Sequence, residues 1–175
     1  MKKLKNSELQ RKSIAEFKTA EKIPLVVVLD NIRSQNNIGS IFRTSDAFLV
    51  EEVILCGITA VPPHPEIHKT ALGSTDSVNW RYMNSTLEAV TFLRARGYRI
   101  LAIEQAEGSI MLGDYQPEAG VGQAVIFGHE IHGVAQDVMD SCDHCLEIPQ
   151  YGTKHSLNIS VCAGMVIWEF FKKLS

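Results

Sequence analysis

Long apolar runs are what this sequence most plainly lacks. A membrane-crossing helix needs roughly 20 consecutive apolar residues, and no such run occurs in the 175 residues. The opening MKKLKNSELQRKS is basic but has no apolar middle of the kind a secretory signal carries, so export is not expected. Cysteine is scarce: Cys56, Cys142, Cys145 and Cys162 are too few and too scattered for a disulfide framework, and a reducing, cytoplasmic setting suits them. Positive charge is also in deficit. Against 20 Asp and Glu stand 17 Lys and Arg, a net charge of −3 that weighs against easy nucleic-acid binding. There is no internal repeat and no low-complexity tract.

What is present is a chain 45% apolar, enough for one substantial core and so for one domain. Its charge is unevenly spread. Residues 1–22 carry Lys2, Lys3, Lys5, Arg11, Lys12, Lys18 and Lys22 against three Glu, a basic arm of +4 on a body of −7. Such an arm supplies salt-sensitive attraction to phosphates, although a merely solvated helix has the same composition. The expected division is therefore an N-terminal basic arm or helix over 1–22 and a domain over 23–175.

Periodicity sets out the elements in order. Residues 7–22 read as a short polar helix broken by Pro24. Leu25–Leu29 is a β-branched apolar run, as in a strand buried on both faces. A helix starts near Asn36 or Asn37 and ends at Phe48. Strands follow at Val53–Cys56 and Ser77–Met83, separated by a loop whose Pro62, Pro63 and Pro65 exclude regular structure. Ser85 and Glu88 form a capping box for a helix ending at Gly97. Further strands are expected at Tyr98–Ile103, Ala124–Phe127 and His144–Ile148, with a short helix around Val134–Met139. In the final helix, Ser156 is placed as N-cap and Leu157, Val161, Met165 and Trp168 recur at core-facing spacing. Alternating strands and helices imply an α/β fold, a mostly parallel sheet with helices on both faces. Ligands of such sheets bind beyond the carboxyl ends of the strands. The polar loops at Asn36, Gly128 and Gly152 all follow strands and would gather there.

Those loops hold three ordered segments: Asn37-Ile-Gly39-Ser-Ile-Phe-Arg43, Ile126-Phe-Gly128-His-Glu130-Ile-His-Gly133, and Ile148 to Ser160, IPQYGTKHSLNIS. In them the chain resembles the SpoU branch of the SPOUT RNA methyltransferases, also called the TrmH family, over about Leu25 to the C-terminus. That branch is marked by N-x-G-x-x-x-R, F-G-x-E-x-x-G and I-P-x-x-G-x-x-x-S-L-N-x-S, all matched at the marked positions. The intervening Lys69-Thr-Ala-Leu-Gly73 element falls within the same span.

The resemblance implies a C-terminal deep trefoil knot, which composition could never suggest. It implies S-adenosyl-L-methionine as cofactor, bent in the knot against Gly128, Ile148, Ser156 and Leu157, with Ile103 completing the wall. It also implies a homodimer packed through the knot region. Val166, Ile167 and Phe170 lie beyond one face of the last helix and are expected to bury in that dimer. The implied reaction is methyl transfer to a ribose 2′-hydroxyl of RNA, with Arg43 stabilising the developing alkoxide or clamping the adjacent phosphate, since a guanidinium is a poor general base. Asn37 shares a helix edge with Arg43 or simply caps that helix. Glu130 is expected to orient one of the two, and Ser156 and Asn158 to position ribose or cofactor. Lys69, Lys154 and His155 are candidate phosphate contacts.

Transfer RNA is favoured over ribosomal RNA as substrate, because a compact substrate demands less extra surface. No membrane and no metal are implied. Two rivals remain. One keeps the fold as a non-catalytic RNA-binding protein. The other is a zinc nucleobase deaminase, whose H-x-E and C-x-x-C halves are imitated by His64-Pro-Glu66 and Cys142-Asp-His-Cys145. Ser141 stands where that signature wants Pro, and Cys142–Cys145 leads into a strand instead of opening a helix.

Overall fold

A computed structural model describes residues 1–5 and 8–175. Seven strands form one sheet: β1 (Ile23–Asp30), β2 (Val50–Cys56), β3 (Trp80–Met83), β4 (Arg99–Ile103), β5 (Ile110–Met111), β6 (Gln123–Phe127) and β7 (His144–Glu147). Their order is β3-β2-β1-β6-β4-β7-β5, and every neighbouring pair is parallel. The helices are α1 (Ile14–Thr19), α2 (Gln35–Ala47), α3 (Pro65–Ala71), α4 (Ser74–Ser77), α5 (Thr86–Ala95), α6 (Gln136–Asp140) and α7 (Ile159–Leu174).

The β-branched runs are central strands, because both faces of a parallel sheet are covered and successive side chains alternate between them. In β1, Leu25, Val27 and Leu29 join Ile38, Ile41 and Phe42 of α2 and Ala163, Val166, Ile167 and Phe170 of α7 in one apolar layer. Val26 and Val28 join Ala89, Val90 and Leu93 of α5 and Val138 of α6 in the other. The expected sandwich of helices on both faces is present.

The carboxyl half of the sheet is crossed. β4 and β5 follow one another in the chain, yet β7 lies between them, with Ile103 opposite Leu146 and Ile110 opposite the same Leu146. The later strand β7 is thus laid between two strands that precede it in the chain. α7 fastens it: Lys173 Nζ donates to the carbonyls of Leu112, Gly113 and Tyr115 at 3.1, 3.1 and 2.7 Å. This order is consistent with the trefoil threading that the resemblance implies.

Several expected boundaries move. The helix expected over 7–22 is only Ile14–Thr19, capped by Ser13 and Glu16; Ser7 lies outside the described residues. The proline loop contains α3, since Pro65 sits at the first helical position, where its missing N–H costs nothing. Ser77 belongs to α4, and the third strand starts at Trp80. The two-residue β5 carries too little pattern to be seen in sequence. Ser34, not Asn36 or Asn37, caps α2, its Oγ accepting from Asn37 N at 3.3 Å.

The largest correction concerns α7. Its N-cap is Asn158, and Ser156 remains in the preceding loop. Val161, Met165 and Trp168 are 49, 45 and 47% exposed, whereas Val166, Ile167 and Phe170, expected in a dimer contact, are in the core. The helix is apolar nearly all round, so periodicity alone offered two stripes and no means of choosing between them.

Candidate active site

The carboxyl ends of β4, β6 and β7 open into a cleft of about 570 Å³, within the usual range for a small-molecule site. Its apolar wall is Ile103, Phe127, Leu146, Ile148, Leu157 and Cys162, and its polar lining includes Asn37, Glu104, Gln150, Ser156 and Asn158. The three sequence segments therefore meet in space. Ile103, Gly128, Ile148, Ser156 and Leu157 all line this one cavity, as do Asn37, Glu130, Asn158 and His155.

Each wall has a local cause. α2 and α7 both begin at the cleft, and Asn158 Nδ2 donates to Asn37 Oδ1 at 3.3 Å, tying the two helix starts together. Asn158 Oδ1 also accepts from Ser160 N at 2.9 Å and from Ser160 Oγ at 2.7 Å, which is the cap of α7. Helix starts carry free N–H groups and the positive end of the dipole, so this lip of the cleft favours electron-rich groups. The loop 148–158 adds more. Among the described residues, no backbone N–H between Tyr151 and Leu157 is donated to another protein group.

Gly128, besides lining the cleft, serves its own loop. A Cβ there would lie 2.2 Å from Gly133 C and from Val134 N, so the glycine lets its own loop fold back, with His129 and Gly133 bridged. Gly39 acts similarly, since a Cβ would lie 2.3 Å from Ile67 O where α2 crosses α3. The N-x-G spacing thus serves helix packing beside the site.

Glu130 does not touch Asn37 or Arg43 directly. Its carboxylate accepts from Arg33 N at 3.1 Å and Ser34 N at 3.0 Å, tying the β6 loop to the turn that caps α2. Burial acts to raise its pKa, but the Ser34 and Arg33 N–H groups outweigh burial and hold the carboxyl below its ordinary value. It positions Asn37 at one remove.

Arg43 stands apart. It is exposed and absent from the lining. Six residues beyond Asn37, it is about 9 Å further along the axis of α2. Lys69 is ion-paired with Glu66 at 2.5 Å, Lys154 is exposed on its loop, and of the expected phosphate contacts only His155 reaches the cleft rim. Among the described residues, no group of three or more His, Cys, Asp or Glu is arranged to hold a metal ion. Residues the sequence did not single out are Glu104, Gln105 and Cys162. Gln105 Nε2 donates to His155 O at 2.9 Å and so braces the loop. Their one sequence signal was position, Glu104 and Gln105 directly following a buried strand.

An all-parallel sheet with a cleft at its carboxyl edge, closed by a chain segment laid between consecutive strands, defines a ligand-binding α/β domain. The chain belongs to the SpoU rRNA Methylase family, whose model matches residues 24–168. A member of the TrmH family of tRNA/rRNA methyltransferases from Staphylococcus saprophyticus is 31% identical over 161 residues, covering 91% of this chain and 63% of the relative. The chain thus spans less than two thirds of the curated relatives it matches. The AdoMet-bound rRNA methyltransferase of Sinorhizobium meliloti superposes with TM-score 0.82 at 26% identity, over 89% of this chain and 58% of that one. A protein solved for insight into the 2-OH methylation of C/U34 on tRNA gives 0.73 at 27%, over 86 and 95%. Among the described residues, no helix is long and apolar enough to cross a membrane.

Proposed function

We propose that the chain is an S-adenosyl-L-methionine-dependent RNA ribose 2′-O-methyltransferase that acts on transfer RNA in the cytoplasm. The observation that carries this reading is the convergence of Asn37, Ile103, Gly128, Ile148, Ser156, Leu157 and Asn158 on one cleft from distant parts of the chain. The lining suits the cofactor: apolar side chains for an adenine ring, free backbone N–H groups for its edge, and two helix starts for a carboxylate. When bound, the group supplies a methyl carbon on a positively charged sulfur. Bound there, it would be held by Ile103, Gly128, Ile148 and Leu157, and the polar lip would orient a ribose hydroxyl toward that methyl.

The protein's own part is positioning and charge. Asn37 and Asn158 form a bridged amide pair at the lip, the place to orient a ribose. Ser156 lies beside them on the same lining. Glu130 holds the turn that places Asn37. Arg43 supplies the fixed positive charge for the developing alkoxide or the flanking phosphate, and its absence from the lining of its own cleft supports a role at the cleft of a second copy. α7 packs against α2 and leaves Val161, Met165 and Trp168 uncovered. An apolar stripe of this kind on a core helix is suited to a two-fold contact. This supports a homodimer through this outer face of α7, beside the crossed segment. Lys154, His155 and the basic arm face the RNA, and Lys69 contributes after release from Glu66.

The tRNA preference is supported by the relative of nearly matching length associated with tRNA, of which this chain covers 95%. The test is incubation of purified protein with labelled donor and total RNA, followed by mapping of the modified nucleotide. A single 2′-O-methylated ribose in tRNA is expected. Label in ribosomal RNA would redirect the substrate, label on a base would overturn the reaction, and donor binding with no transfer to any RNA would leave an RNA-binding protein.

A further inference from the structure

The cleft carries one carboxylate, Glu104, that the three family segments do not account for. Its lining contains two carboxylates, Glu104 and Glu130, and no lysine or arginine. Glu130 is turned to the backbone of Arg33 and Ser34 at the outer edge. Glu104 follows β4 directly, where Ile103 and Leu146 form the inner wall. Its Oε1 accepts from Gln105 N at 2.9 Å and its Oε2 from Val134 N at 3.2 Å, which fixes the group between two loops of the cleft. Among the described residues no cationic side chain pairs with it. Two neutral backbone donors leave its charge in place. An uncompensated carboxylate in a half-apolar cavity acts over a longer range than one in water.

We propose that Glu104 is a specificity-determining residue that makes the cleft prefer the cationic methyl donor over the uncharged thioether left after transfer. The inference rests on the cofactor assignment above and deepens it. Donor and by-product share an adenosine and an amino-acid tail and differ by a methyl group and one unit of charge. Apolar walls and backbone N–H groups hold the shared parts equally, so they cannot tell the two apart. A fixed negative charge can, and transfer itself cancels the attraction and favours release. The reach of this charge shows at Cys162, across the cleft on α7. Burial first and the Glu104 carboxylate second push that thiol up to about 11.

Calorimetric titration of the wild type, Glu104→Gln and Glu104→Asp with S-adenosylmethionine and with S-adenosylhomocysteine tests this. Glu104→Gln should weaken the donor on the order of tenfold and the by-product less than about twofold, while Glu104→Asp keeps the wild-type ratio. Equal weakening of both ligands by Gln would make Glu104 a mere clamp on Val134 and overturn the proposal, as would no change in either. Should Glu104→Gln fail to fold, the wild type still decides. Added salt should weaken the donor and spare the by-product, and an equal response would overturn the proposal. Binding of neither ligand to the wild type would remove the cofactor reading itself. An unmoved ratio with both bound removes only the role of Glu104.

Discussion

The two apolar stripes of α7 are close in composition and opposite in fate. Ile159, Ala163, Val166, Ile167 and Phe170 are buried against β1 and α2, while Val161, Met165 and Trp168 stay about half exposed, with Trp168 only 5.4 Å from Phe48 and 5.9 Å from Phe171. The first stripe holds the fold. The second is left half exposed, the face that the proposed homodimer would use. The difference teaches that burial is set by what a helix meets, not by how apolar its residues are.

The sharpest way to break this comparison is to truncate both stripes. Phe170→Ala should cost about 3–5 kcal/mol in urea unfolding, because it empties a site with no room to collapse. Trp168→Ala should cost much less in the monomer and act on association. A large stability loss from Trp168→Ala with no change in mass in solution would mean that the outer stripe is structural after all.

Next in size is the effect on chemistry. Arg43→Ala should lower transfer about 10²–10³-fold with cofactor affinity unchanged, read by calorimetry beside the turnover assay. Mixed dimers sharpen the point. An Arg43→Ala chain paired with an Asn158→Ala chain should regain activity, because one intact cleft then meets one intact guanidinium. No recovery in a verified heterodimer would place Arg43 in service of its own cleft.

A moderate effect is expected from Met165→Glu, which puts a charge into the outer stripe. If the wild type sediments as the proposed dimer, this variant should sediment as a monomer at the same concentration, with transfer falling in step and urea stability little changed. Retained transfer by a monomer would separate catalysis from assembly.

The smallest effect is alkaline, and it belongs to the inner layers. Burial pushes the Cys56 thiol up to about 12 from an ordinary 9.0, with Thr86 opposing and the Asp30 charge adding to the rise. Below pH 9.0 the thiol is protonated in both the folded and the unfolded chain, and stability does not depend on it. Between 9.0 and about 12 the unfolded chain has lost the proton that the folded chain keeps, so stability falls as pH rises. Urea midpoints at pH 8 and 10 should show this fall, and Cys56→Ala should reduce it by one thiol's share, Cys142 and Cys162, both pushed up to about 11, supplying the rest.

Much of this was legible in the residues. The LVVVL run and its neighbours follow strand period, and Ser85 with Glu88 shows a helix start, because backbone geometry and capping are local. The three segments around Asn37, Glu130 and Ser156 were equally legible, since they are spaced along the chain in a fixed order. Hidden from sequence were β5, too short for any period, and the placement of β7 between β4 and β5, which depends on the path of the whole chain. Also hidden was the purpose of Gly128 and Gly39, each set by a backbone passing within a Cβ radius. The N-x-G-x-x-x-R spacing points to Arg43 as a cleft residue, and the single chain puts it elsewhere.

The sequence by itself determined the alternation of strands and helices, the apolar supply of a two-layered core, and the family to which the chain belongs. Long-range packing settles which side of α7 is inside, which strand lies beside which, and that Glu104 stands in the cleft with no cationic partner among the described residues. The physical reason is the same in each case: period and capping act within a few residues, whereas burial and uncompensated charge depend on surfaces brought together from far along the chain.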